Sequence, residues 1–114
     1  MKRHVLTVKL NNDRAAIEAY KRYHARVWPE VKEALRKIGV EHMQTYLQGN
    51  RLCTVIEARD GFDPRVDLKR YATSSRVEEW DRIMSTLQAS VEVDGGTPAW
   101  IPMELVYDDT WPSG

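Results

Sequence analysis

In the stretch AYKRYHARVWPEVKEAL, residues 19–35, an aromatic ring recurs at every fourth position: Tyr20, His24 and Trp28, followed by Pro29. Residues four apart on a helix stand one above the other. A phenol and an imidazole therefore share one face, one turn apart. Histidine both takes and gives a proton near neutral pH. A phenol beside it can hydrogen-bond the ring or a ligand oxygen. An indole offers a flat wall suited to the C–H face of a sugar, with a single N–H donor. This is equipment for moving a proton on a bound ligand. The competing reading is packing, with Tyr20 and Trp28 in the core and His24 a satisfied buried histidine. Spacing alone favours packing, because single motifs are weak.

The elements that must position these side chains are legible from periodicity. Residues 3–10, RHVLTVKL, alternate, with His4, Leu6, Val8 and Leu10 on one face and Val5, Thr7 and Lys9 on the other, which predicts a strand. Asn12 or Asp13 then offers an N-cap, and helical spacing runs through Ile17, Tyr20, His24 and Val27. Pro29 disfavours helical geometry at Trp28, so the helix ends or bends there. Pro29 itself fits the first turn of a second helix, with Glu30 near its positive end. That helix carries Val31, Ala34, Leu35 and Ile38 as its stripe and stops at Gly39.

Residues 40–47 and 51–57 are rich in β-branched and aromatic side chains and flank Gln48-Gly49-Asn50, a hairpin signature. A loop follows, then a short helix over 65–73. A second major helix is expected over 75–89 from Val77, Trp80, Ile83, Met84 and Leu87. Residues 92–98 read as a loop. Residues 100–108 read as a final strand, with Pro102 marking an edge or a bulge.

The order β-α-β-β-α-β is the split βαβ, ferredoxin-like α+β arrangement, with both helices on one face of an antiparallel sheet. The 114 residues fit one domain, residues 1–114, long enough for a core without disulfides or a structural metal. The strand at 3–10 has apolar groups on both sides, and helices cover only one, so a homodimer is expected to cover the other. Lys and Arg balance Asp and Glu, 17 against 17, which leaves no basic footprint for nucleic acid. Cys53 is the single cysteine and reads as a buried small hydrophobe. No pair of histidines shares metal-ligand spacing with an acid, so no metal is expected. The N-terminal apolar run is short and broken by His4 and Lys9, so neither a signal peptide nor a membrane span is expected. The default location is the cytoplasm.

The string YKRYHARVWPE, residues 20–30, with Glu79-Trp80 and MELVY at 103–107, resembles the L-rhamnose mutarotase family. The resemblance spans nearly the whole chain, and the Y-x3-H-x3-W-P-E string is its specific part. It implies a small ferredoxin-like dimer, of the dimeric α/β-barrel type, that interconverts the anomers of a deoxysugar without a cofactor. It implies that His24 is the catalytic proton donor, that Tyr20 binds substrate one turn before it, and that Trp80 lines the sugar site. Two positions depart from the rhamnose pattern. Asp81 stands where a second tryptophan is expected, and Met43 stands where a tyrosine contacts substrate. The stretches EHMQTYLQGNRL, VEEWDRIM and AWIPMELVY look more like the L-fucose branch. The resemblance therefore implies L-fucose as substrate, with L-rhamnose as the alternative.

Mutarotation opens a pyranose ring by protonating the ring oxygen and removing the anomeric hydroxyl proton, then recloses it on the other carbonyl face. It needs groups that titrate near neutrality and a cradle for the sugar. Tyr20 and His24 with aromatic walls fit that need, with Trp28, Tyr46 and Glu104 as further pocket candidates. A different class stays open at this stage. Ferredoxin-like dimers also include haem-degrading monooxygenases, in which His24 would ligate iron, and non-catalytic small-ligand binders.

Overall fold

The computed structural model describes residues 1–89 and 100–114. Strand β1 (Lys2–Leu10) runs through the middle of an antiparallel sheet ordered β2-β3-β1-β4. Its alternation does what the sequence pattern implies. Leu6, Val8 and Leu10 are buried on the helix side, and Val5 and Lys9 are half-buried on the other. Thr7, also on the outer side, is buried and donates its hydroxyl to the Leu52 carbonyl at 2.7 Å.

Helix α1 (Arg14–Ala25) starts at Asp13, whose carboxylate accepts the Ala16 N–H. It ends three residues short of Trp28, earlier than the proline alone requires. Helix α2 (Pro29–Lys37) begins with Pro29 in its first turn, where the missing N–H costs no hydrogen bond. Gly39 ends it at φ 108°. A Cβ there would sit 2.6 Å from the Arg59 side chain, and the backbone conformation itself disfavours any other residue.

The hairpin of β2 (Val40–Gln48) and β3 (Arg51–Ala58) turns at Gly49-Asn50 as the sequence implies. A bulge between Val40 and His42 turns Val40 and Met43 to the same side, toward the helices. His42, Gln44 and Tyr46 consequently face outward and are exposed.

Three more elements are shorter than expected. Helix α3 (Pro64–Asp67) is a single turn capped by Asp63, rather than a helix over 65–73. Helix α4 (Ser75–Leu87), capped by Ser74, stops two residues early, and Gln88–Ala89 extend as β4 against Leu10 and Lys9. The final strand β5 is only Ile101–Pro102, paired with Thr7 and Leu6. The Met103 N–H still reaches the Val5 carbonyl at 2.7 Å. Pro102 has no N–H to donate, and the chain beyond Met103 leaves β1 with Leu105, Val106 and Tyr107 exposed. The loop expected over 92–98 lies outside the described residues.

Helices α1, α2 and α4 cover one face of the sheet, which is the ferredoxin-like α+β fold of the dimeric-barrel type. Two buried clusters form beneath them. One gathers Val8, Leu10, Tyr20, Val31, Leu52, Trp80 and Met84; the other gathers Leu6, Val40, Ile56, Ala58 and Phe62. Leu35 and Trp100 pack against both. Each fully buried aliphatic side chain contributes about 1.5–3 kcal/mol relative to leaving it in water. Among the described residues, no helix is long and apolar enough to cross a membrane.

Candidate active site

The two clusters do not close on each other. Between them lies a cavity of about 280 Å³, bounded by Leu6 and Ile56 on the sheet and by Tyr20, Val31, Trp80 and Met84 from the helices. It is largely apolar, and its polar groups are few and convergent, the usual make-up of a small-ligand site. A cavity of this size can hold one monosaccharide.

Tyr20 and His24 both line this cavity. Their rings stack with centroids 3.9 Å apart and 20° between planes, the direct result of four-residue spacing on α1. His24 Nδ1 lies 3.0 Å from the Tyr20 carbonyl oxygen. A carbonyl can only accept, so Nδ1 carries the proton, and Nε2 is left as the nitrogen that exchanges protons when the ring is neutral. Trp80 also meets His24 edge-on, with ring centroids 5.2 Å apart. Burial pulls the His24 pKa below that of an ordinary histidine, with the Tyr20 carbonyl partly opposing the shift. Burial pushes the Tyr20 phenol well above its usual range, so it stays an O–H group.

Helix α4 supplies the facing wall. Trp80, Asp81, Met84 and Ser85 line the cavity, with Gln88 of β4 just past the helix end. Asp81 accepts a hydrogen bond from the Tyr71 hydroxyl, which reaches in from the segment after α3. Burial raises the Asp81 pKa, and the Tyr71 bond partly restores it. On the sheet, Met43 and Thr45 of β2 and Thr54 of β3 complete the wall, and the two threonine hydroxyls pair at 2.8 Å.

The structure thus gathers Tyr20, His24, Met43, Trp80 and Asp81 around one cavity. It does not bring Trp28, Tyr46 or Glu104 to it. Because α1 ends at Ala25, Trp28 swings off the Tyr20–His24 stripe. It packs edge-on behind Trp80 at 5.2 Å, under the Arg76 guanidinium at 3.5 Å from its ring centre. Arg76 in turn pairs with Glu30 and Glu79. Trp28 therefore braces the wall from outside. Tyr46 faces outward from the sheet and is 59% exposed. Glu104 lies on the exposed segment after β5, in a groove along the start of β1.

Sequence reasoning missed Tyr71, Trp100, Ser85, Gln88 and the threonine pair. A signal existed for Ser85, which follows Asp81 by four residues on one helix face, whereas Gln88 lies past the end of α4, on β4. None existed for Tyr71, which sits outside any periodic element. Among the described residues, no group of three or more His, Cys, Asp or Glu side chains is placed to hold a metal.

The model of the family described as L-rhamnose mutarotase matches residues 3–108. The chain belongs to this family. It is a sugar mutarotase, an isomerase acting on carbohydrates. A UPF0734 protein of Dictyostelium discoideum is 39% identical over 114 residues, covering 96% of this chain and 91% of that one. An L-fucose mutarotase of Xanthomonas campestris pv. campestris is 28% identical over 102 residues, covering 88% and 82%. The crystal structure of an L-rhamnose mutarotase from Formosa agariphila superposes with a TM-score of 0.67 at 25% identity, covering 95% of this chain and 98% of that one. Tetracenomycin F2 cyclase from Streptomyces glaucescens shares the fold, with a TM-score of 0.56 at 18% identity, covering 98% and 100%.

Proposed function

We propose that this mutarotase interconverts the α and β anomers of a 6-deoxy-L-hexose, with L-fucose as its substrate, by acid–base opening and closing of the pyranose ring. The observation that carries the reading is the His24 imidazole on the wall of a monosaccharide-sized cavity. Its tautomer is fixed through Nδ1 and its Nε2 is left to exchange a proton. His24, protonated at Nε2, gives that proton to the ring oxygen as the C1–O bond breaks and the anomeric hydroxyl gives up its own proton, so that C1=O forms. The free aldehyde turns about its C1–C2 bond. His24 recovers its proton from the ring hydroxyl as that hydroxyl attacks the other carbonyl face and the carbonyl oxygen is reprotonated. Tyr20, held as a phenol, hydrogen-bonds a sugar oxygen, and Trp80 gives the pyranose an apolar wall.

L-fucose is favoured over L-rhamnose by Asp81 and Met43, the two positions that depart from the rhamnose pattern, since both line the cavity. The 28% identical relative named as an L-fucose mutarotase supports the same choice. L-rhamnose is the second reading, supported by the family description and by the Formosa agariphila structure. The experiment is saturation-difference NMR of anomer exchange on L-fucose, L-rhamnose, D-ribose and D-galactose. Exchange should be fastest on L-fucose. Fastest exchange on L-rhamnose would favour the second reading, and no acceleration of any sugar would reduce the protein to a binder.

The enzyme works as a homodimer of one domain per chain. Support comes from the outer face of the sheet, where Val5, Cys53 and Val55 are half-buried and Tyr46 is exposed, and from the exposed apolar segment at 103–107. The same reading puts it in the cytoplasm, where the lone thiol of Cys53 stays reduced.

A further inference from the structure

Ring opening moves two protons. One arrives at the ring oxygen, and one leaves the anomeric hydroxyl. Both oxygens are bonded to C1, so the second proton must be handled within the same cavity, from a different direction. His24 supplies one group, from α1. The cavity has four titratable side chains among the described residues: Tyr20 and His24 on α1, Tyr71 after α3, and Asp81 on α4. Strands β1, β2 and β3, helix α2 and Trp100 contribute none to its wall. Tyr20 and Tyr71 are both held as phenols by burial. That leaves one carboxylate.

Asp81 is not tied down as a structural aspartate would be. It is half-buried and takes part in no ion pair among the described residues. Its one hydrogen-bond partner there is the Tyr71 hydroxyl on Oδ1, which orients the carboxylate. Trp80, the residue before it on α4, touches His24 edge-on. The two proton-carrying groups therefore face one space from two packed helices, with an apolar wall between them.

We propose that Asp81, oriented by Tyr71, is the second catalytic acid–base group, exchanging the anomeric hydroxyl proton through Oδ2 while His24 serves the ring oxygen. This rests on the mutarotase reading above. In opening, His24 Nε2–H protonates the ring oxygen, the C1–O bond breaks, C1=O forms, and the Asp81 carboxylate takes the anomeric proton. In closing, Asp81 returns its proton to the carbonyl oxygen, and His24 takes the proton of the attacking hydroxyl. Both groups return to their starting states, and nothing is oxidised or consumed. The active form holds one proton shared between His24 and Asp81. Activity is lost in acid when both are protonated and in alkali when neither is, a bell whose two limbs belong to the pair. Burial lowers His24 and raises Asp81, which brings the two groups toward one another and eases this sharing. Tyr71 is a positioning residue, since it acts through the carboxylate.

The test is Asp81→Asn, which keeps size and shape and still accepts the Tyr71 hydroxyl, alongside Tyr71→Phe and wild type. Anomer exchange is measured by saturation-difference NMR on L-fucose and L-rhamnose across pH, with sugar binding followed by titration calorimetry. Asp81→Asn should slow exchange of both sugars by about 10²- to 10⁴-fold, lose the acid limb, and change affinity far less. Tyr71→Phe should be milder and should move the acid limb to higher pH, because the bond that holds the carboxylate ionised is gone. A structural role would leave that limb in place. A wild-type rate in Asp81→Asn overturns the proposal and leaves His24 as the working group. A changed sugar ratio at an undiminished rate also overturns it, making Asp81 a selector only. No acceleration by the wild type would remove the mutarotase reading itself, together with this proposal.

Discussion

The two faces of the β-sheet are made from the same strands, yet they are different surfaces. On β3, Leu52, Thr54, Ile56 and Ala58 point to the helices and are buried, while Cys53, Val55 and Glu57 point away and are only half-buried. The inner face has its cover within the chain, and the cavity survives there as the gap between two packed clusters. The outer face leaves Val5, Cys53 and Val55 only half-buried and Tyr46 exposed. On the function proposed above, catalysis belongs to the face whose cover is intramolecular. The proposed dimer would use the other.

The inner face should fail most steeply when His24 is replaced. His24→Ala should slow anomer exchange by about 10²- to 10⁴-fold with the fold intact, since alanine is the better helix former and His24 is not in the buried clusters. NMR exchange rates together with circular dichroism check both halves. Near-wild-type exchange in a folded variant would assign the chemistry elsewhere.

Adjacent residues on one strand sharpen the contrast. Ile56→Ala opens a hole in a fully buried cluster and should destabilise by about 2–5 kcal/mol, read by urea denaturation. Val55→Ala, one residue away on the outer face, should cost much less in a dilute monomer. If a second chain covers that face, the wild-type melting temperature rises with protein concentration, and Val55→Glu with Tyr46→Glu yields monomers by light scattering. A wild type that is monomeric at micromolar concentration would leave the outer face simply solvated.

The contrast was largely legible in the sequence. Alternation in residues 3–10 named the inner side chains correctly, and Asp13, Pro29, Gly39 and Gly49 marked the ends of their elements, because caps and turns are local chemistry. The site was legible only where its residues share one helix. Tyr20 and His24 stack as four-residue spacing requires. Trp28 continued that spacing but left the face when α1 ended early, which periodicity does not encode. Tyr71 and Trp100 reach the cavity from non-repetitive segments, placed by tertiary packing alone. Met43 faces inward through the bulge after Val40, which shifts the simple alternation of β2 by one residue. The 100–108 segment has the composition of a strand, yet only Ile101–Pro102 find ladder partners on β1.

Within the inner face, Asp81 and Met43 should govern choice of sugar. L-fucose and L-rhamnose differ in configuration at C2 and C4, so a carboxylate on the wall meets different hydroxyls in each. Leaving a buried polar group unmatched costs about 1–3 kcal/mol. Asp81→Trp with Met43→Tyr should slow exchange of both sugars through loss of the carboxylate and shift the ratio of the remaining rates toward L-rhamnose by roughly 5- to 150-fold, the equivalent of that energy. An unchanged ratio in the double variant would place discrimination on other wall residues.

The smallest effect is in stability, and its sign separates a working carboxylate from a structural one. Burial makes Asp81 harder to ionise in the folded chain than in the unfolded one. A group whose pKa is raised by folding leaves stability whole below its unfolded value and erodes it as pH rises through the folded value. At pH 7 the ionised Asp81 therefore opposes folding, and Asp81→Asn, which cannot ionise, should melt at a higher temperature than wild type. The gain should fade on acidification and vanish below about pH 4, where the carboxyl is protonated in both states. His24, lowered by burial, acts in the opposite sense, removing stability as pH falls through its folded value, but both proteins share it and it cancels in the difference. The gain is small because water still reaches the carboxylate. Melting curves of the two proteins from pH 4 to pH 8 would read it. A loss of stability at pH 7 would make the ionised carboxylate a support of the fold through Tyr71, and Asp81 would then belong to the framework of the cavity rather than to its chemistry.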